Sequence, residues 1–250
     1  MMPSLLTYRD SDHSYQLGGE KVPSVTTCTG VLNKPGLVPW AAKLGAMWAR
    51  DHPELAQRLS PAEWEQQAKR APTVARDKAG QVGTDLHAAA NLLTTTGVAP
   101  DVPQDQLALV LQAADFLDSM GVETIASERA VYHDTFRYAG RFDLIGQIRS
   151  RVWLLDFKTS ASGVWPEMAL QQSAYRYASH MQADDPRADD VPMVPISHVG
   201  IVWVRPEGWQ LVPLLADRDV WQSFLATIPL WHFSRRRDVV QPAMASSSDG

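Results

Sequence analysis

Residues 138–160, Tyr-Ala-Gly-Arg-Phe-Asp-Leu-Ile-Gly-Gln-Ile-Arg-Ser-Arg-Val-Trp-Leu-Leu-Asp-Phe-Lys-Thr-Ser, constrain this chain more than any other stretch. Two runs rich in β-branched, aromatic and aliphatic residues, 142–148 and 152–157, flank the polar Arg149-Ser150-Arg151, the pattern of a β-hairpin. An even-numbered loop centred between Arg149 and Ser150 sets Gln147 opposite Val152 and, counting outward, Asp143 opposite Asp156. Side chains alternate faces with period two, so both carboxylates and Lys158 fall on one side. Cross-strand neighbours start about 5 Å apart, and two carboxylates at that distance repel unless a cation lies between them. Hard divalent ions such as magnesium prefer oxygen ligands, so the pair makes half a metal site. A lysine beside it can position a water or stabilise charge developing on a phosphate. The competing reading of the lone hairpin is a surface ion pair, Asp143 with Lys158 or Asp156 with Arg141.

A chain of 250 residues fits one domain with decoration. The net charge of −5 argues against coating nucleic acid through bulk basicity and leaves room only for a local basic groove. Cys28 is the one cysteine, which excludes an internal disulfide framework and a cysteine-held iron–sulfur cluster. A reducing cytoplasm is the simplest compartment. No charged-then-apolar leader and no run of 18 apolar residues is present, so neither export nor membrane spanning is expected.

Taken in order, alternation around Gly18-Gly19 predicts a small hairpin over 13–25, followed by a threonine-rich turn. Pro39 opens a helix over 40–50. Ser60-Pro61-Ala62-Glu63 is a capping box with proline at the first helical position. Pro72 should interrupt that helix, with helical spacing resuming over 73–95. A further helix over 104–120 buries Leu107, Val110, Leu111, Ala114 and Leu117 and ends at Gly121. The period then becomes strand-like over 122–133. Pro166 opens a helix over 167–181, residues 184–195 read as an exposed loop, strands cover 197–204 and 209–214, and Asp217 caps a last helix to about 232. The expected architecture is α/β, a central mixed β-sheet flanked by helices with an N-terminal helical region, in one domain over 1–233. Within it, 1–72 form the N-terminal hairpin and helical region, 73–233 the catalytic core, and 234–250 a flexible tail with Arg235, Arg236 and Arg237.

Five elements then occur in one order: Gly-Thr-Asp-Leu-His with His87, Glu128 before a strand, Ala-Gly-Arg-Phe-Asp with Asp143, Asp-Phe-Lys-Thr-Ser with Asp156 and Lys158, and Gln171 followed four residues on by Tyr175. This constellation resembles the RecB-like exonucleases of the PD-(D/E)XK superfamily, and the size and the stretches at 23–27 and 33–42 look like stand-alone, bacteriophage-type members. The resemblance implies a restriction-endonuclease-like core and one or two Mg2+ or Mn2+ ions held by His87, Asp143, Asp156 and the backbone carbonyl of Phe157. It implies that Lys158 orients the attacking water, that Glu128 is a helper acid, and that Gln171 and Tyr175 contact or organise the DNA strand. The lone Cys28 departs from relatives that carry four cysteines for an iron–sulfur cluster.

The implied activity is metal-dependent DNA exonuclease chemistry in recombination, repair or replication, in the cytoplasm, or the host cytoplasm for a phage-encoded chain. A recombination partner protein fits that role. Two other readings stand beside it: a DNA-binding or assembly subunit that lost turnover, and a structure-specific endonuclease with the same metal chemistry. Ring-forming and monomeric relatives share the motifs, which leaves the oligomeric state open. The DNA-holding patch is expected among the lysines and arginines of residues 34–78.

Overall fold

In the computed structural model, which describes residues 5–9, 14–185 and 188–239, the central layer is a five-stranded mixed sheet. Its strands are β4 (Val122–Ser127), β7 (Leu144–Ile148), β8 (Arg151–Lys158), β11 (His198–Arg205) and β12 (Gly208–Pro213), in the order β12-β11-β8-β7-β4. Only β8 and β11 are parallel, and α5 (Pro166–Arg176) lies on the crossover between them. The expected hairpin register holds, with Gln147 opposite Val152 and a two-residue turn at Arg149-Ser150. Arg149 takes φ +55°, a conformation more often given to glycine or asparagine.

Helices cover both faces of this sheet. Leu144, Leu155, Phe157, Val202 and Val204 pack on α3 (Pro61–Thr96) and α4 (Leu107–Met120), whereas Ile145, Leu154 and Val199 face α5 and α6 (Arg218–Leu225). The chain is therefore α/β with helices flanking a mixed central sheet. Among the described residues no helix is long and apolar enough to cross a membrane.

Several elements differ from the sequence reading. Residues 122–133 are two strands, β4 and β5 (Ala130–His133), and β5 belongs to a second sheet with β6 (Tyr138–Arg141), β9 (His180–Met181) and β10 (Val191–Pro192). The expected helix over 167–181 ends at Arg176, because β5 has an open edge: Ser179 N–H donates to Tyr132 O and Gln182 N–H to Ala130 O. The outer edge of residues 180–181, once they have joined β5, in turn draws residues 191–192 out of the expected loop.

The threonine-rich segment is a short helix, α1 (Val25–Thr29), whose Ser24 hydroxyl accepts from Thr27 N–H. The N-terminal hairpin, β2 (Ser14–Leu17) and β3 (Glu20–Val22), gains a third strand, β1 (Leu6–Arg9). Leu6, Tyr15, Leu17 and Val22 bury themselves on Ala130, Tyr132 and Ala139 of the second sheet.

Pro72 does not break α3, which runs 36 residues from the expected Ser60–Glu63 capping box to a left-handed Gly97. Proline deprives the Ala68 carbonyl of its helical donor and costs about 3 kcal/mol in isolation. Ala68 O faces α2 (Leu37–Asp51) at Gly45, where a Cβ would come within 3.3 Å of it. The two helices thus meet at a glycine, and their packing with the remaining turns of α3 carries the helix through.

In α4 the buried positions are Leu109, Val110, Ala113 and Phe116, while Leu107 and Leu111 are exposed. Phe116 sets that phase by wedging edge-on against Phe157 and Trp209. The last helix divides into α6 and α7 (Thr227–Ser234), since Pro229 cannot donate back to the Leu225 carbonyl. Of the expected tail, residues 240–250 lie outside the described residues.

Candidate metal centre

One bent antiparallel ladder builds the site. Ser127 pairs with Leu144 on the central sheet and Ala130 with Arg141 on the second, with the same offset, so Glu128 stands opposite Asp143 at the bend. Glu128 N–H donates to Asp143 O at 2.8 Å, and Phe142 N–H to Arg129 O at 3.2 Å. Glu128 itself has φ +50°, left-handed for a residue with a Cβ, at a cost of about 1–2 kcal/mol. This turn of one residue lets the strand leave one sheet and join the other. Continuing the β7–β8 register places Asp156 on Asp143's other side. Three carboxylates therefore occupy equivalent positions on three neighbouring strand segments, Glu128, Asp143 and Asp156.

α3 adds His87. Its Nδ1 lies 3.1 Å from Asp143 Oδ2 and 3.8 Å from Glu128 Oε1. Asp143 Oδ2 also accepts from Phe157 N–H at 2.8 Å, which fixes the carboxylate against the neighbouring strand. Asp156 is the most enclosed member at 1% exposure. Lys158 Nζ forms an ion pair with its Oδ2, a close charge contact without the direction of a hydrogen bond. Its Oδ1 receives a long hydrogen bond, 3.4 Å, from Gln171 Nε2, which also reaches Tyr175 OH at 3.3 Å.

Protonation follows from burial set against these neighbours. Burial pushes His87 toward losing its proton, but the facing carboxylates of Asp143 and, farther off, Glu128 outweigh that and raise its pKa to about 10. Burial pushes Asp143 up, and His87, Lys158 and the Phe157 amide more than reverse it, leaving the carboxyl below its ordinary range. Asp156 goes the other way, because burial raises it and Lys158's pull does not offset burial together with the charge of Asp143. Lys158 is lowered by burial and held above its usual value by Asp156 and then Asp143. His87 and Lys158 thus serve as the counter-charges of an acidic site.

These residues fit a hard divalent ion. Donor atoms of His87, Glu128 and Asp143 all lie within 4.8 Å of one another. Two ligands at about 2.1 Å and at right angles on an octahedral ion lie about 3.0 Å apart, close to the His87–Asp143 separation. Of the expected ligand set, the structure gathers His87 and Asp143, brings Glu128 to them, and sets Asp156 beside Lys158 and Gln171. No family model and no curated protein matches the chain.

The remaining expected residues have defined places. The Phe157 ring is buried on the far face of the sheet, and its backbone N–H reaches the Asp143 carboxylate. Tyr175 is 2% exposed, packed on Gly140, so its phenol points into the protein and organises Gln171. The glycine in Ala-Gly-Arg-Phe-Asp is explained by that contact, a requirement visible in the sequence only as an unassigned glycine.

A cleft of about 560 Å³ opens beside the metal centre, lined by Gly80, Gly83, Thr84 and His87 of α3 together with Glu128 and Arg141. The α3 residues recur at helical spacing, so one face of the helix forms the floor. A Cβ at Gly80 or Gly83 would touch no protein atom, and the floor is open above both. A second depression of about 530 Å³, between residues 32–34, α5 and α6, contains none of the three site carboxylates. In the stretch 34–78, Lys34, Arg50, Lys69 and Arg76 pair with Glu167, Asp51, Glu65 and Asp77, which reduces the positive charge that stretch presents. In the sequence Arg141 carries no functional signal beyond its position two residues before Asp143.

Proposed function

We propose that this chain is a divalent-metal-dependent deoxyribonuclease with a restriction-endonuclease-like core, an exonuclease related to the RecB-like enzymes of the PD-(D/E)XK superfamily. The observation that carries the reading is the alignment of Glu128, Asp143 and Asp156 on adjacent strand segments, with His87 and Lys158 as the cations among them, at the edge of an open cleft. A structural ion-pair cluster has no need of a third carboxylate, or of a left-handed glutamate to deliver it.

Asp143, Glu128 and His87 would hold Mg2+ or Mn2+, with Asp156 as the neighbouring acid; His87 would give up its proton as the ion takes over its role of counter-charge. When bound, the ion supplies Lewis acidity and neutralises charge gathering on the phosphate. Lys158, oriented by Asp156, directs a water toward the phosphorus and donates to a phosphate oxygen as negative charge grows there. Gln171, backed by Tyr175, fixes the Asp156 carboxylate and so fixes the lysine. DNA is the substrate, lying in the cleft along α3. The role in recombination, repair or replication, a cytoplasmic location and a recombination partner belong to the same reading.

The test compares linear with covalently closed circular DNA, under magnesium, manganese or chelator, beside Asp156→Ala. Metal-dependent release of nucleotides from linear DNA alone, lost in the variant, is the expected result. Nicking of circles would replace the exonuclease with an endonuclease. A folded protein that releases nothing with either metal would leave a binding or assembly subunit.

A further inference from the structure

We propose that Arg141 is a substrate-binding residue that holds a backbone phosphate of the DNA next to the one attacked, and that the N-terminal sheet holds its guanidinium over the cleft. The proposal rests on the nuclease reading and deepens it. An acidic protein whose metal centre carries three carboxylates has to attract a polyanion through some local cation. Lys158 is occupied by Asp156, and several basic residues of the 34–78 stretch are neutralised by carboxylates of their own. Arg141 has no carboxylate partner among the described residues, and it lines the same cleft as His87 and Glu128.

Its position follows from the strand. In β6 the Tyr138 side chain and the side of Gly140 where a Cβ would stand face α5, toward Ala174 and Tyr175, so Ala139 and Arg141 face the N-terminal sheet. There the guanidinium carbon lies 5.7 Å from the centroid of the Tyr8 ring, and Tyr8 in turn packs against Tyr15 with centroids 4.9 Å apart. Burial raises the Tyr15 hydroxyl pKa, and the charge of Arg141 together with its hydrogen bond to that hydroxyl opposes the rise.

An arginine held on an aromatic face loses less freedom when it binds, and the Tyr15 hydroxyl engages only part of its five-donor fork. Its planar fork matches two phosphate oxygens, whereas an ammonium contributes a point charge. The open floor at Gly80 and Gly83 leaves a nucleotide backbone space to pass between α3 and this guanidinium. On this account the N-terminal strands, remote in sequence from the acidic residues, are part of the substrate site.

The experiment measures cleavage kinetics on a linear oligonucleotide across a salt series for wild type, Arg141→Gln, Arg141→Lys and Tyr8→Leu. Arg141→Gln should raise KM on the order of tenfold, more than it lowers kcat, and reduce the slope of log KM against log salt by about one. Arg141→Lys should restore the salt slope and recover KM only in part. Tyr8→Leu should raise KM in the same direction by less. Thermal melting of each variant separates loss of fold from loss of binding. Active wild type with an Arg141→Gln variant of unchanged KM and salt slope overturns the role of the arginine and leaves the nuclease reading standing. Wild type that fails to cleave with magnesium or manganese overturns the nuclease reading and the arginine's role with it.

Discussion

Gly140→Ala tests the link between packing and the acidic site. A Cβ at residue 140 would lie 2.5 Å from Tyr175 Cε1 and 3.2 Å from Val25 Cγ2. Carbon atoms prefer separations of about 3.5–4.0 Å, so the tyrosine ring must retreat by about 1 Å. It has little room to do so, since Tyr175 and Val25 are both buried and the phenol is tied to Gln171. Overpacking of this kind costs about 1–3 kcal/mol. Against it, alanine restricts the unfolded chain and returns about 0.4–1 kcal/mol, and Gly140 has no positive φ to forbid it.

The steric effect wins, for a net loss of about 1–2 kcal/mol. At this chain length each kcal/mol lowers Tm by about 2–4 °C, so a fall of about 2–8 °C is expected. Catalysis should suffer more, because retreat of the ring drags Gln171 away from Asp156, and misplacement of about 1 Å at a reacting centre can cost on the order of 100-fold. Melting, urea midpoints and nucleotide release are the readouts. Tyr175→Leu introduced into the alanine variant should recover part of the stability, with a coupling of about 0.5 kcal/mol or more. An alanine variant with wild-type Tm and wild-type rate would refute the steric chain from β6 to the acidic site.

Three other perturbations address the centre and the core. Asp156→Ala should abolish metal-dependent cleavage, whereas Lys158→Ala should impair cleavage and leave the metal-induced rise in Tm largely intact; normal turnover in Lys158→Ala would remove the lysine from the mechanism. Glu128→Gly relieves a left-handed backbone worth about 1 kcal/mol while removing a carboxylate from the site, so apo stability should hold or rise as the metal-induced shift in Tm shrinks. An unchanged metal shift would exclude Glu128 as a ligand. Cys28 is fully buried, and burial pushes its thiol up to about 12. The unfolded chain ionises it near 8.5–9, so its contribution to stability is complete below about pH 8.5 and is lost as pH rises toward about 12. Urea midpoints of wild type should therefore fall more steeply than those of Cys28→Ala through that window, and parallel curves would contradict the burial argument.

The β7–β8 register was legible because a one-residue slip would turn every apolar side chain of a half-buried strand to the wrong face. The pattern alone therefore put Asp143 beside Asp156. The Ser60–Glu63 box and Gly121 were equally readable, since caps satisfy backbone groups within a few residues. Glu128 was singled out, but its place opposite Asp143 was not, because residues 122–133 carry strand character throughout and only the competition between two sheets decides where the strand bends. In α4 the sequence marks Val110 as buried but not the rest of the face, for a related reason: Leu107 and Leu111 are as apolar as Leu109, and the choice between them is made by the space Phe116 fills between Phe157 and Trp209.

By itself the sequence determined the period of the longer helices and central strands, the caps at Ser60 and Gly121 and the local pairing of the β7–β8 hairpin, all of which are set by neighbours close along the chain. Tertiary structure decided that α3 survives Pro72, that Tyr8 meets Arg141, and that His87 reaches around the sheet to Asp143. Those outcomes depend on contacts between residues far apart in sequence, where the energies of packing and charge are set by distances that no local pattern encodes.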